Sequence, residues 1–316
     1  MFQNRLRAWI EVQKFPRHSN DVLSFVLGSV LAWYNAGEFH WGIFTAGLFA
    51  VFFIANGIYL SNEYQDYESD SRNLERIGGE GGMGLTTTGG TRVLVSGRLG
   101  KRQVLVASVV FFALAVPLGL IIQFVWHPGP WTIPLGILGI VLAYGYSNPP
   151  FKASYRGLGE LFMMLGYVAL IFTAYYIQAG ASWFPLLICL PRILTVPALK
   201  ILRNFPDYRA DAIAGKRTLV VIFGRRRMSY AYIALVAAAI LLFIPSYTVT
   251  HSPFVLLNII PVFYLAKSLL PMIKGSWRQR AGIERACRAG FKGLLLVPLT
   301  LSLTFLLAGL LPTIRF

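Results

Sequence analysis

Charge is scarce in this sequence, and negative charge is scarcer. Asp, Glu, Lys and Arg make up 13% of its 316 residues, and only 13 residues are acidic. Soluble domains carry about 25% charged residues, so the deficit excludes an ordinary soluble globule. Cysteine is nearly absent. Cys189 lies in an apolar run and Cys287 in a basic stretch, which leaves no disulfide framework and no Cys/His metal spacing. His40, His127 and His251 fall in short connections and carry no expected chemistry. The glycine-rich stretch 78–90, GGEGGMGLTTTGG, is not followed by Gly-Lys-Ser/Thr and so is not a phosphate loop. It reads either as a flexible connector or as a lid over a cytoplasmic-side site.

What is abundant is apolar. Hydrophobic residues reach 56% and mean hydropathy is +0.60. They come in runs of roughly 15–22, long enough to cross a bilayer as helices. The expected fold is therefore all-α. It is a polytopic membrane bundle of nine transmembrane helices around a central cavity opening to the cytoplasmic side, with residues 1–316 as one domain. The spans are expected near 21–35, 42–64, 103–123, 132–147, 159–179, 183–203, 229–247, 253–273 and 290–311. Pro117, Pro191, Pro197, Pro261 and Pro298 lie within them and are expected to kink them, because neighbouring helices satisfy the freed carbonyls.

A net charge of +16 would suit nucleic acid, but its distribution argues for membrane topology instead. The N-terminus and the 2–3, 4–5, 6–7 and 8–9 connections hold 4, 6, 2, 8 and 6 of the 29 Lys and Arg. The alternate connections, 36–41, 124–131, 180–182 and 248–252, hold none. The positive-inside rule then puts the N-terminus and the basic loops in the cytoplasm and the C-terminus outside, in what is expected to be a prokaryotic inner membrane. The basic first 18 residues show no cleavable signal pattern, so the first span is expected to be retained.

Four of the few acids are aligned. Asn62, Asp66 and Asp70 recur every four residues at the end of the second span, on one side of a helix. Lys200, Asn204, Asp207 and Asp211 form a similar stripe at the end of the sixth. Clustered carboxylates at a membrane edge repel one another unless a cation lies between them, and the helix dipole disfavours acids at a C-terminus. Magnesium prefers hard oxygen ligands and commonly binds one or two carboxylates plus a substrate's phosphates. Asp66, Asp70, Asp207 and Asp211 are thus expected to hold two Mg²⁺ around one diphosphate, with Asn62 and Asn204 adding neutral oxygens or orienting the carboxylates. Lys152, Arg156, Lys200, Lys216 and Arg217 are available for the remaining phosphate charge. Glu63 and Glu68 fall off the Asp66 stripe and read as solvated or as supports. Arg192, near mid-bilayer, must face the bundle interior, either tied to a carbonyl or lining a substrate cavity; Lys267 is similar but less deep. Tyr59, Tyr144 and Tyr146 could turn aromatic faces to the site and stabilise a carbocation there.

These motifs, N62-EYQ-D66-YES-D70 and N204-FP-D207-YRA-D211-AIAGKRTL, resemble those of the UbiA superfamily of intramembrane prenyltransferases. YSNPPFKASYRGLGEL (146–161), NFPDYRADAIAGKRTLVVIFG (204–224) and RVLVSGRLG (92–100) resemble its 1,4-dihydroxy-2-naphthoate polyprenyltransferase branch. One departure is that Tyr146 and Lys152 stand six apart, where many members carry Tyr-x-x-x-Lys. The resemblance implies Mg²⁺-dependent transfer of a polyprenyl group from its diphosphate to an aromatic acceptor. It further implies dihydroxynaphthoate as acceptor, with loss of CO₂ and pyrophosphate, as in menaquinone biosynthesis. Tyr146 is then the cation stabiliser and Lys152 a diphosphate ligand; the tail lies among apolar helices, and nucleic acid has no role. Other expectations stay open. They are another acceptor (4-hydroxybenzoate, haem, a sugar or glyceryl phosphate), a terpene cyclase of the same type, and an ion-coupled transporter. The last would place acids deep in several spans rather than at the ends of two.

Overall fold

The computed structural model describes residues 2–76, 88 and 90–313, so the glycine-rich stretch 78–90 lies outside the described residues except for Thr88 and Gly90. The chain is helical, with no strand among those residues. In order, the helices are α1 (Phe2–Val12), α2 (Phe15–Ala36), α3 (Trp41–Gln65), α4 (Tyr67–Ser71), α5 (Lys101–Ile121) and α6 (Thr132–Gly145). There follow α7 (Gly159–Ala179), α8 (Phe184–Ile188), α9 (Leu190–Ile213), α10 (Leu219–Leu241), α11 (Ile244–Thr250), α12 (Ile259–Ile273) and α13 (Arg280–Leu310).

Among the described residues, six helical stretches are long and apolar enough to cross a membrane: Trp41–Gln65, Lys101–Trp126, Gly159–Ala179, Leu219–Thr250, Pro253–Ile273 and Arg280–Leu310. Thr132–Gly145 is a shorter apolar helix. The two other stretches expected to span, 21–35 and 183–203, fall on α2 and on α8–α9, which carry more polar residues. Several helices outrun their apolar segments toward the basic connections. Helix α2 starts at Phe15, α9 runs to Ile213 and α13 starts at Arg280. Those overhangs carry the polar residues discussed below.

Helices α2, α7, α9 and α13 pack together at the centre, with α3, α5 and α6 on one flank and α10 and α12 on the other. Between apolar helices in lipid, packing and small residues drive association rather than burial from water. Gly28 illustrates this: a Cβ there would press on the Ile171 carbonyl and Ala174, so α2 and α7 can meet this closely only at a glycine. Leu27, Leu31, Ile171, Leu202, Leu301 and Phe305 are fully buried in that centre.

Arg192 is also fully buried. Its Nε donates to Ser24 Oγ (3.1 Å), Nη1 to Leu294 O (3.1 Å), and Nη2 to Asn20 O (3.2 Å) and Asn20 Oδ1 (2.8 Å). The guanidinium also lies 4.5 Å from the Tyr167 ring centroid. Of its two expected roles, the structure supports the carbonyl-bound tie, joining α2, α7, α9 and α13. The desolvated charge is offset by several donors satisfied at once.

Candidate active site

A cavity of about 420 Å³ runs through the α2–α3–α5–α6–α7–α9 side of the bundle. One end is ionic, lined by Glu63, Asp66, Asp70, Asp207 and Asp211 with Lys14, Arg17, Lys200, Arg203 and Lys216. The waist carries Asp21, Tyr59, Tyr146 and Tyr167. The far limb is apolar, with Val51, Ile54, Ala115, Leu120, Ile133 and Ile140 on its walls. The cavity also passes Gly119, Gly136, Gly139 and Gly166, where an added Cβ would meet nothing within 4 Å.

The first acidic stretch is not one continuous helix, as its spacing suggests. Helix α3 stops at Gln65, Asp66 takes φ −84° and ψ 1°, and α4 begins at Tyr67. The ladder survives the break, since Asp66 N–H donates to Asn62 O (2.8 Å) and Asp70 N–H to Asp66 O (2.8 Å). Both aspartates therefore still reach the cavity.

The two acidic stretches are bonded to each other. Ser69 Oγ donates to Asp211 Oδ1 (2.7 Å), and Asn73 Nδ2 to Asp207 Oδ1 (2.6 Å). Lys216 Nζ lies 2.8 Å from Asp66 Oδ1 and 3.8 Å from Asp211 Oδ1, so one buried ammonium bridges the motifs. Tyr155 Oη donates to Asp66 Oδ1 (2.9 Å). Gly90 closes the other side with φ 68°; any Cβ there would collide with the Asp70 carboxylate.

Electrostatics separates the carboxylates. Burial alone would raise Asp66, but the charge and hydrogen bond of Lys216, together with the Lys200 charge and the Tyr155 hydrogen bond, outweigh it and hold the carboxyl low. Burial, then the charges of Asp66 and Glu63, pushes Asp70 well above the usual carboxylate range. Asp207, beyond the apolar part of α9, is pushed up to about 6 by burial and by Asp211. Burial disfavours the Lys216 ammonium, yet Asp66 and Asp211 keep its pKa well above that of a free lysine. Neither Asp70 nor Asp207 has an ion pair among the described residues. Each motif thus retains one carboxylate whose charge would be relieved by a cation. No three His, Cys, Asp or Glu side chains among the described residues converge to cage a metal by themselves. That donor set suits a hard ion that takes further oxygens from a phosphate or water.

The remaining expected site residues divide. Asn62 accepts a short hydrogen bond from Ser147, and Asn204 donates to Glu160 Oε1 (3.0 Å); both line the cavity. Lys200 lines it too, with Nζ 5.5 Å from the Tyr146 ring centroid. Tyr59 lines it and donates to Asp21 Oδ2 (3.1 Å). Four others do not line it. Tyr144 is outside the wall, edge-on to Phe112 at 5.9 Å, because two residues along a helix turn it away from Tyr146. Lys152 sits in a left-handed turn residue (φ 45°) and lies 5.4 Å over the Tyr155 ring. Arg156 caps a short 3₁₀ turn and is exposed. Arg217 is exposed because the chain after α9 is no longer helical there, and Lys216 takes the inward position. Lys14, Arg17 and Arg203 supply cations to the cavity in their stead.

Glu68 is exposed and pairs with Arg72 (2.8 Å), but Glu63 is not solvated. It is 3% exposed, pairs with Lys14 (2.5 Å) and accepts from Thr91 N–H (2.9 Å) and Thr91 Oγ1 (2.8 Å). Asp21 carries no signal in sequence, being a lone acid near the start of a span. In the structure Tyr167 Oη donates to its Oδ1 (2.6 Å), opposite Tyr59 on Oδ2.

A helical bundle with membrane-length apolar helices, whose cavity joins crossed acidic motifs to an apolar limb, is the architecture of an integral membrane enzyme. The UbiA prenyltransferase family matches residues 22–287, and the chain belongs to that family. It is 28% identical over 226 residues to 2-carboxy-1,4-naphthoquinone phytyltransferase of Synechocystis sp., covering 70% of this chain and 67% of that protein. It is 25% identical over 204 residues to 1,4-dihydroxy-2-naphthoate octaprenyltransferase of Bacillus subtilis, covering 64% of this chain and 61% of that protein. The fold matches a UbiA homologue from Aeropyrum pernix K1 (TM-score 0.64, 18% identity, 91% of this chain and 96% of that chain). It also matches one from Archaeoglobus fulgidus bound to GPP and Mg²⁺ (TM-score 0.62, 16% identity, 96% and 99%). The chain is a prenyltransferase of this family.

Proposed function

We propose that this enzyme transfers a polyprenyl group from polyprenyl diphosphate to 1,4-dihydroxy-2-naphthoate, releasing CO₂ and pyrophosphate. The observation that carries the reading is the hydrogen-bonded crossing of the two aspartate motifs over one cavity with an apolar far limb. The naphthoate and naphthoquinone names of the relatives support the acceptor, and the GPP and Mg²⁺ of the Archaeoglobus homologue support the donor and the ion.

Asp66 and Asp70 on one side and Asp207 and Asp211 on the other would hold Mg²⁺, one ion to each pair, with Asn62 contributing an amide oxygen. Mg²⁺, when bound, neutralises the diphosphate and makes it a better leaving group. Lys216, Lys200, Lys14, Arg17 and Arg203 take up the rest of its charge as the C–O bond to the prenyl carbon breaks. Tyr146 presents its ring to the allylic cation. Asp21, bridging Tyr59 and Tyr167 at the waist, accepts a hydrogen bond from an acceptor hydroxyl and holds the ring toward that carbon. The ring carbon bearing the carboxylate bonds to the prenyl carbon, and the carboxylate leaves as CO₂, which restores the aromatic ring. The apolar limb takes the isoprenoid tail and keeps water from the cation. The basic connections, and with them the ionic end of the cavity, face the cytoplasm in the nine-span arrangement.

The test is incubation of membranes containing the protein with labelled polyprenyl diphosphate and a panel of aromatic acceptors, with and without Mg²⁺. The reading predicts a decarboxylated prenyl naphthalenediol only with dihydroxynaphthoate and Mg²⁺. A prenylated 4-hydroxybenzoate, or a cyclised hydrocarbon formed without acceptor, would replace it.

A further inference from the structure

A second basic cluster lies on a seam between two apolar helices and plays no part in the chemistry above. Lys267 and Pro271 on α12, with Lys274 capping its C-terminal end, face Arg285, Ala289 and Lys292 on α13 across a pocket of about 560 Å³ that also takes in Arg288. Both sets have i, i+4, i+7 spacing, so each forms a stripe on one helix face. Tyr264, Leu270 and Pro271 make the apolar part of the wall. The pocket shares no lining residue with the acidic cavity.

Five cations are gathered there and all are exposed. Arg288 has a partner in Glu284 (3.5 Å); the other four make no ion pair among the described residues. Lys267 and Lys292 lie within the apolar stretches Pro253–Ile273 and Arg280–Leu310. Each ammonium rests near an aromatic ring, Lys267 at 5.9 Å from Phe263 and Lys292 at 5.6 Å from Tyr264. Cations placed in apolar helices reach for the interface or for an anion. Facing stripes of cations would repel each other without one. A soluble anion would use only the cations, whereas a lipid would also cover the apolar wall.

We propose that this seam binds the phosphate headgroup of an anionic phospholipid. Its phosphate sits among Lys267, Lys274, Arg285 and Lys292, and its glycerol and first acyl carbons lie on Tyr264, Leu270 and Pro271.

The test is thermal melting of the full chain in neutral detergent during titration with phosphatidylglycerol, phosphatidylcholine or inorganic pyrophosphate. Phosphatidylglycerol is expected to raise the melting temperature saturably and phosphatidylcholine is not, while any pyrophosphate response comes from the acidic cavity and is expected to be the same in wild type and in the variants below. Lys267→Gln with Lys292→Gln is expected to weaken phosphatidylglycerol roughly 30-fold, about 1 kcal/mol for each lysine removed, with prenyl transfer retained. Lys267→Arg with Lys292→Arg is expected to keep the affinity. Equal stabilisation by phosphatidylcholine, unchanged affinity in the Gln variant, or a pyrophosphate response lost in that variant would each overturn the lipid assignment. If the Gln variant does not fold, a photoreactive phosphatidylglycerol on the wild type decides. Cross-links to residues 264–292 support the site, and cross-links confined elsewhere overturn it.

Discussion

Lys216 gives the sharpest consequence of the crossed motifs. It is 7% exposed and stands between Asp66 (2.8 Å) and Asp211 (3.8 Å), one carboxylate from each motif. Lys216→Met keeps the volume and removes the charge. Two carboxylates that shared one ammonium are then left in a site of low dielectric. Breaking a buried pair by removing one partner costs about 3–5 kcal/mol. At the 2 °C per kcal/mol expected for a long chain, the melting temperature falls by roughly 6–10 °C. The deficit must depend on divalent ions, because a second cation can replace the first. In EDTA the variant shows the full loss; in millimolar Mg²⁺ it recovers part, while wild type gains less. The assay is thermal melting of detergent-purified protein across a Mg²⁺ titration. Equal melting of variant and wild type in EDTA would refute the bridge. A deficit indifferent to Mg²⁺ would refute the view that these carboxylates are cation-seeking.

Three further outcomes follow from particular contacts. Asp21→Asn keeps the shape of the waist but weakens its hydrogen bonding to an acceptor hydroxyl, so KM for the aromatic acceptor rises about tenfold while KM for the prenyl diphosphate holds, measured by initial rates. Gly136→Phe or Gly139→Phe fills open space in the apolar limb, so product analysis over a series of chain lengths shows short donors accepted and long ones refused. Glu63→Gln removes the partner of buried Lys14, so it destabilises by about 3–5 kcal/mol, read as a lower melting temperature, whereas Glu68→Gln at the exposed Arg72 pair shifts it by less than about 1 kcal/mol.

The architecture was legible because lipid imposes a coarse code. Apolar runs must be helices, and the stretches expected to span fall on helices here. The four aspartates were legible for a different reason: acids are so few that two similar stripes stand out. What sequence could not show is which neighbour completes the site. Helical periodicity says nothing about residues beyond a helix end. So Lys152, Arg156 and Arg217, expected to take phosphate charge, fall outside the cavity, while Lys14 and Arg203 line it. The break at Asp66 was equally hidden, since a fourfold spacing looks the same whether or not α3 stops at Gln65. Ser69 and Asn73 lay beside the motif, but only the fold reveals that they bond to Asp211 and Asp207. Asp21 and Glu63 looked like stray acids because their partners, Tyr167 and Lys14, come from distant elements.

The central claim is that both motifs grip a single diphosphate, and a double-mutant cycle on binding measures it directly. Affinity for a non-reactive prenyl thiolodiphosphate is determined with Mg²⁺ for wild type, Asp66→Asn, Asp207→Asn and the double variant. Each single change is predicted to weaken binding at least tenfold, and the double variant to fall short of the summed loss by at least about 1 kcal/mol. Losses that simply add, or Mg²⁺-dependent binding that either variant leaves undiminished, would contradict it.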